Sequence, residues 1–102
     1  MMSVFEALSE PHRRVLLEVL ASGERTVTDL MAEVGLSQSA TSKHLKVLRE
    51  AGLVEVRGDG QRRYYRLHGA ALAEVDRWVA RFRPFWADRL DALGTYLEND
   101  ES

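Results

Sequence analysis

Cysteine is absent from this chain of 102 residues, so disulfide bonds, thiolate metal sites and thiol redox switches are excluded. Proline occurs only at Pro11 and Pro84, and no apolar run approaches the length of a membrane span. The first residues lack a basic start followed by an apolar stretch, so we expect no signal peptide and a cytoplasmic location. An apolar content of 45% is ordinary for a globular protein, and we expect a single domain over residues 1–102.

Charge is unevenly distributed along the chain. Residues 37–66 contain seven Lys and Arg against three Asp and Glu, a net charge of +4. The whole chain carries −2, so the remainder carries −6. A basic segment on an acidic body is typical of nucleic-acid-binding proteins. We therefore expect the acidic body to face away from the phosphates.

The first half of this basic segment has the pattern of a helix. Ser37 is a suitable N-cap, and Gly52 follows the last turn, where left-handed backbone is favoured. The predicted buried stripe recurs at helical spacing and comprises Thr41, Leu45 and Leu48. The opposite face carries only hydrogen-bonding or cationic side chains, namely Gln38, Ser39, Ser42, Lys43 and Lys46.

After Gly52 the pattern alternates, which predicts a β-hairpin over residues 53–67. Its predicted turn is Gly58-Asp59-Gly60, because Asp-Gly is a strong hairpin signal. Arg62 and Arg63 follow the turn. A polar helix beside an arginine-bordered hairpin suits a DNA major groove and the phosphates next to it.

Two more helices are predicted before Ser37. Pro11 is expected in the first turn of one helix, and Thr26-Val27-Thr28-Asp29 resembles a capping box for the other. The core stripe of the first is predicted as Val15, Leu16, Val19 and Leu20. Its start carries His12, Arg13 and Arg14, for which phosphate contact and a solvated helix end are both open. Two helices joined near Gly35 predict a helix-turn-helix. When the hairpin is added, the prediction is a winged helix-turn-helix over residues 3–69.

An apolar stripe at helical spacing runs through residues 70–97, and Pro84 predicts a kink or a break into two helices. About 28 helical residues would span roughly 42 Å. A compact chain of 100 residues has a radius of gyration of only about 13 Å, so we expect a second copy of the chain to cover the stripe. The alternative interpretation of its aromatic cluster is an effector pocket. With the short segment Ser3–Leu8, the predicted dimer interface comprises Val4, Phe5, Leu8, Val75, Trp78, Val79, Phe82, Phe85, Trp86, Leu90, Leu93 and Leu97.

Three motifs together resemble the ArsR-type family of bacterial winged-helix repressors: Pro-His-Arg-Arg at 11–14, the run 36–54, and the hairpin motif 58–67. The resemblance implies a mainly α-helical fold with a small β-hairpin, and a homodimer formed through the terminal helices. It implies binding to an operator with imperfect two-fold symmetry and repression of transcription, often of the protein's own operon. The implied DNA-binding residues are Gln38, Ser39, Ser42 and Lys43 near the bases, His44 and Lys46 nearer the backbone, and Arg62 and Arg63 on the wing, together with Ser37 at the start of the helix.

The chain departs from the family pattern at its N-cap before Pro11 and in its metal ligands, among other positions. Glu10 precedes the proline where the family commonly has Asp, which leaves Ser9 as the alternative N-cap. The cysteine ligands of metal-sensing members are absent, and no histidine follows His68. The sequence therefore resembles the non-metal branch, for which we expect no metal ion and no cofactor. A small-molecule effector is left open.

Other classes of function fit less well. The three histidines lie on different elements, and no serine or carboxylate pair is spaced for catalysis, so we expect no enzyme. The main alternative is a winged-helix protein-interaction module that works through the aromatic C-terminal surface. Against this alternative, the predicted helix that begins at Ser37 lacks the apolar anchors that protein recognition favours. A metal-responsive repressor with oxygen and nitrogen ligands, and an RNA-binding protein, are less favoured.

Overall fold

The computed structural model describes residues 2–100, and side chains over residues 2–94. The described residues form mainly helices together with one two-stranded antiparallel hairpin, in agreement with the predicted winged helix-turn-helix. Helices α3 (Val27–Val34) and α4 (Gln38–Glu50) form the helix-turn-helix, and strands β1 (Val54–Asp59) and β2 (Arg62–Leu67) form the wing. The elements in chain order are α1 (Val4–Leu8), α2 (Pro11–Leu20), α3 (Val27–Val34), α4 (Gln38–Glu50), β1 (Val54–Asp59), β2 (Arg62–Leu67), a single 3₁₀ turn (Gly69–Ala71), α5 (Leu72–Ala80) and α6 (Arg83–Asp100).

The core lies where α2, α3 and α4 meet, and it fixes one face of α4 inward. The predicted stripe of α4 is confirmed, since Thr41, Leu45 and Leu48 are each at most 1% exposed. Thr41 is the polar member of this stripe. Its hydroxyl donates to the carbonyl of Ser37 at 2.8 Å, so the buried oxygen is satisfied within the helix.

Two local predictions for α2 were wrong. Val15 is 40% exposed, whereas Leu17, which the predicted stripe omitted, is 7% exposed in the core. Glu10, not Ser9, is the N-cap, because its carboxylate accepts the backbone N–H of Arg13 at 3.1 Å. Ser9 is engaged elsewhere: it caps the C-terminus of α1, and its hydroxyl donates to the carbonyl of Glu6.

Arg13 and Arg14 fit neither interpretation left open by the sequence. Nε of Arg13 donates to the carbonyl of Ala7 at 2.6 Å, and Nη1 of Arg14 donates to the carbonyl of Leu8 at 2.8 Å. These carbonyls lie at the end of α1, where no intrahelical donor remains. The two arginines therefore cap α1, a helix too short to hold itself.

The turn of the wing differs from the prediction, because Gly58 and Asp59 belong to strand β1. The strands pair from Val54 opposite Leu67 to Asp59 opposite Arg62, so the two-residue loop is Gly60-Gln61. Gly60 has φ +64°, and only the first loop position has positive φ, as in a type II′ turn. The hairpin is joined to the body by two backbone hydrogen bonds between Arg25 and Tyr65, of 3.0 and 2.8 Å.

The C-terminal segment is broken into two helices. Helix α5 ends at Ala80 and α6 begins at Arg83, so Pro84 lies in the first turn of α6, where its missing N–H is not needed. The Cα radius of gyration is 18.1 Å and the principal extents are 61 × 29 × 21 Å. A compact chain of this size would have a radius of about 13 Å, so the molecule is elongated. Over the described part of the chain, no helix has the length and apolar content to cross a membrane.

Candidate nucleic-acid interface

Helix α4 is held firmly at both ends. Ser37 is its N-cap, and its hydroxyl accepts the backbone N–H of Ala40 at 3.1 Å. At the other end, the N–H of Gly52 bonds the carbonyl of Arg49, and the N–H of Leu53 bonds the carbonyl of Leu48. This Schellman arrangement needs left-handed backbone, which Gly52 supplies at φ +78°. The helix is therefore a rigid support for its outer face.

The outer face of α4 carries most of the predicted DNA-binding residues. Five of them are exposed on the helix: Gln38, Ser39, Ser42, Lys43 and Lys46. Ser37 is also exposed, although its hydroxyl is used as the cap. Amide, hydroxyl and ammonium groups on one helix face can bond base edges and phosphates of DNA.

His44 faces a different way from these residues. Its side chain is only 20% exposed, and its ring stacks on the ring of His12 with centroids 5.8 Å apart. Nδ1 of His44 lies 3.9 Å from a carboxylate oxygen of Glu10. His44 thus belongs to the contact between α4 and the start of α2, a grouping that the sequence analysis missed because His44 is far from Glu10 and His12 in the chain.

The cations of the basic segment fall into two groups. Arg57 donates to both carboxylate oxygens of Glu24, at 2.8 and 3.3 Å, and Arg66 pairs with Glu55 at 2.9 Å. The hydrogen bond from each arginine holds the pKa of its glutamate below the ordinary value. The other five make no ion pair with any side chain over residues 2–94: Lys43, Lys46, Arg49, Arg62 and Arg63. The charge available to a polyanion is therefore on the outer face of α4 and the tip of the wing.

Arg62 and Arg63 border an open cleft of about 540 Å³ between the wing and the N-terminus of α3. The capping box predicted for α3 is confirmed: Thr26 accepts the N–H of Asp29, and Asp29 accepts the N–H of Thr26, both at 3.1 Å. That backbone bond lowers the pKa of Asp29. The wing arginines therefore lie beside the positive end of the helix dipole of α3.

The apolar stripe of the C-terminal segment is open to solvent. Six of its predicted interface residues are between 42% and 63% exposed, namely Trp78, Phe82, Phe85, Trp86, Leu90 and Leu93. Phe5 of α1 is 40% exposed and extends this surface, since its ring meets that of Trp78 edge-on at 5.7 Å. Val79 is 37% exposed. A continuous exposed apolar surface of this kind is typical of an interaction site.

Four predicted interface residues stand apart. Val4 is only 7% exposed inside the core of its own protomer, so its assignment to the interface was wrong: α1 turns this side chain inward. Leu8 and Val75 are half-buried and pack against the same core. Leu97 lies outside the residues whose side chains are described.

The aromatic cluster encloses little space. A cavity of about 260 Å³ is lined by Trp78, Val79, Phe82, Phe85 and Trp86. Ligand pockets usually measure about 300–1,000 Å³ and bury most of their ligand. This open depression is smaller than such pockets. Its size therefore favours a protein interface, and it argues against an effector pocket.

A helix-turn-helix with a polar, cationic second helix, followed by an arginine-tipped hairpin, defines a winged-helix DNA-binding protein. Comparisons with known proteins agree. Residues 10–56 match the family described as "Bacterial regulatory protein, arsR family". The chain belongs to this ArsR family, and it is a DNA-binding transcriptional regulator of the repressor type rather than a protein-interaction module.

Individual relatives span most of the chain. Transcriptional repressor SdpR of Bacillus subtilis is 33% identical over 82 residues, which cover 80% of this chain and 91% of SdpR. HTH-type transcriptional regulator Rv2034 of Mycobacterium tuberculosis is 37% identical over 94 residues, 88% of each chain. A crystal structure described as a "Possible transcriptional regulator for arsenical resistance" is 48% identical, with a TM-score of 0.71, and covers 91% of this chain and 94% of its own. These relatives are named as regulators, not as enzymes.

Proposed function

We propose that the protein is a homodimeric, non-catalytic repressor that binds an operator of two related half-sites in the bacterial cytoplasm, its own promoter among its targets. Residues 3–69 form the DNA-binding core, and residues 70–97 form the dimerisation segment. The observation that carries the proposal is the distribution of unpaired cations. Over the described side chains, Lys43, Lys46, Arg62 and Arg63 are free of ion pairs on the surface that would meet DNA. Arg57 and Arg66, in contrast, are paired with Glu24 and Glu55.

Each protomer inserts α4 into a major groove. Gln38, Ser39, Ser42 and Lys43 approach base edges, because they occupy the N-terminal half of the helix, the part that commonly meets bases in this motif. Lys46, one turn further along, contacts the phosphate backbone. Base-edge contacts supply sequence preference, and phosphate contacts supply affinity and register.

The wing contributes contacts outside the major groove. Arg62 and Arg63 lie at the start of β2, next to the Gly60-Gln61 tip. There they can bond phosphates or enter a narrow minor groove, whose negative potential attracts arginine. His44 is a weaker candidate for backbone contact, since its ring is turned toward His12.

A second copy of the chain covers the apolar surface of α1, α5 and α6. The elongated shape and the exposure of Trp86 at 57% and Leu90 at 63% support this occupant, because an isolated protomer would leave large apolar side chains in water. Two-fold symmetry then relates the two α4 helices. The operator half-sites should be one helical turn apart, about 34 Å, or a multiple of it.

The proposal is tested by fluorescence anisotropy with labelled DNA from upstream of the protein's own gene. Unrelated DNA is the competitor, and the titration is repeated across a salt series. Binding that survives the competitor, and whose affinity falls steeply with salt, is expected. Binding that the competitor abolishes would contradict autoregulation. If a library of random duplexes then yielded no preferred sequence either, specific operator recognition itself would be refuted.

A further inference from the structure

Three side chains with metal-binding atoms meet where the start of α2 packs against α4. They are Glu10, His12 and His44, and one ligand atom from each lies within 4.8 Å of the other two. Nδ1 of His12 donates to Oε1 of Glu10 at 2.9 Å, and Nδ1 of His44 lies 3.9 Å from Oε2. The two imidazole rings are nearly parallel, with an interplanar angle of 20°.

The separations suit a small divalent ion. Imidazole nitrogen and carboxylate oxygen bind zinc at about 2.0–2.2 Å, which places tetrahedral ligand atoms about 3.3–3.5 Å apart. The two contacts of Glu10, at 2.9 and 3.9 Å, lie on either side of that value. Two histidines and one glutamate are also the ligand set of zinc sites that keep a fourth position for water.

Two of the three ligands are already fixed by the fold. Glu10 is oriented by its role as N-cap, since Oε2 accepts the N–H of Arg13. His44 is 20% exposed and adjoins Leu45, which is buried in the core. His12 is 54% exposed on the first turn of α2, so this one side chain can rotate to adjust its position relative to the other two ligands. Such a site needs little rearrangement to bind.

We propose that Glu10, His12 and His44 form a binding site for one divalent transition-metal ion of the zinc type, which links the start of α2 to the recognition helix α4. Imidazole and carboxylate together suit zinc, nickel and copper better than magnesium or calcium, which prefer oxygen ligands alone. Bound metal would cross-link two helices that otherwise meet through side-chain packing, and it would add positive charge beside Lys43. The sequence analysis expected no metal, because the ligands of the metal-sensing family members are absent from this chain.

The test uses the full chain without an affinity tag, with Zn²⁺ competed against a chromogenic chelator and Co²⁺ as a spectroscopic probe of geometry. One ion per protomer is expected, with tetrahedral cobalt absorption. His12→Gln should lower the Zn²⁺ affinity at least tenfold. Glu10→Gln should do the same while keeping an acceptor for the helix cap, so it decides the question if His12→Gln fails to fold.

His68→Gln is the matched control. His68 also contacts a glutamate, Glu55, but it belongs to no three-ligand group among the described side chains. This variant should bind Zn²⁺ as the parent does. Zinc should also raise the Tm of the parent and of His68→Gln but not that of His12→Gln, because a ligand stabilises only the fold that binds it. The proposal is overturned if the parent binds no Zn²⁺, or if His68→Gln loses as much affinity as His12→Gln.

Discussion

Arg63→Ala and Arg57→Ala each remove one positive charge from the wing of every protomer, yet we expect only the first to change how DNA binding depends on salt. Arg63 has no ion-pair partner among the described side chains. Arg57 is held by Glu24 at 2.8 and 3.3 Å, and its guanidinium lies 4.9 Å from the centre of the Tyr64 ring. The pair of variants therefore separates direct phosphate contact from net charge.

The size of the effect follows from counterion release. If Lys46, Arg62 and Arg63 each contact one phosphate, a dimer makes about six contacts, and log affinity should fall with log salt with a slope of about −5.4. Arg63→Ala removes two contacts and should change the slope to about −3.6. Between about 50 and 200 mM salt, the parent should lose about 1,800-fold in affinity and the variant about 150-fold.

The assay is anisotropy with one operator duplex at four or more salt concentrations, for the parent and both variants. Arg57→Ala should leave the slope at the parent value. Equal changes of slope in the two variants would show that net charge acts at a distance, and would refute the assignment of Arg63. An unchanged slope in Arg63→Ala would refute it as well.

Three further predictions concern bases, assembly and pH. Gln38→Ala should reduce discrimination between the operator and single-base variants by about 1–3 kcal/mol per lost base contact, with the salt slope unchanged; uniform weakening on all DNA would contradict a base contact. Trp86→Ala should shift the protein toward monomer in sedimentation velocity, whereas Val15→Ala, at an exposed valine of α2, should not; an intact Trp86→Ala dimer would argue against the interface. The pKa of Glu24 is lowered from 4.5 by its hydrogen bond with Arg57, so this pair stabilises the fold above pH 4.5 and loses its effect as the pH falls through the lowered value. In urea unfolding, the stability difference between the parent and Glu24→Gln should therefore shrink between pH 6 and pH 3, and a constant difference would refute the pairing.

Features of the chain that depend on near neighbours were predictable from sequence. Ser37 caps α4, and Thr26 and Asp29 form their capping box, because each bond spans three residues and needs only the local backbone. Pro84 was predicted to kink or break the helix, and α5 and α6 are separate just before it, since proline lacks the backbone N–H that a continuous helix would use at that position. The inward stripe of α4 followed from spacing alone.

Features decided by distant contacts were not predictable in the same way. Val15 and Leu17 flank Leu16 on α2, and spacing allows either to be buried; packing against the rest of the core selects Leu17. His12 and His44 lie 32 positions apart, and nothing in a single sequence indicates that their rings stack. From the sequence, Arg13 was a plausible phosphate contact. In the structure its guanidinium instead donates to a carbonyl of α1, a contact that depends on how α1 packs.

The backbone bonds between Arg25 and Tyr65 connect the wing to the loop that leads into α3. These bonds tie the wing to the helix-turn-helix, and so they restrain the distance between their DNA contacts within each protomer. Regulators built on this frame can change the bases that they prefer by substituting residues on α4. In the proposed homodimer the spacing between half-sites is set by the dimer surface, so operator sequence and operator spacing would depend on separate sets of residues.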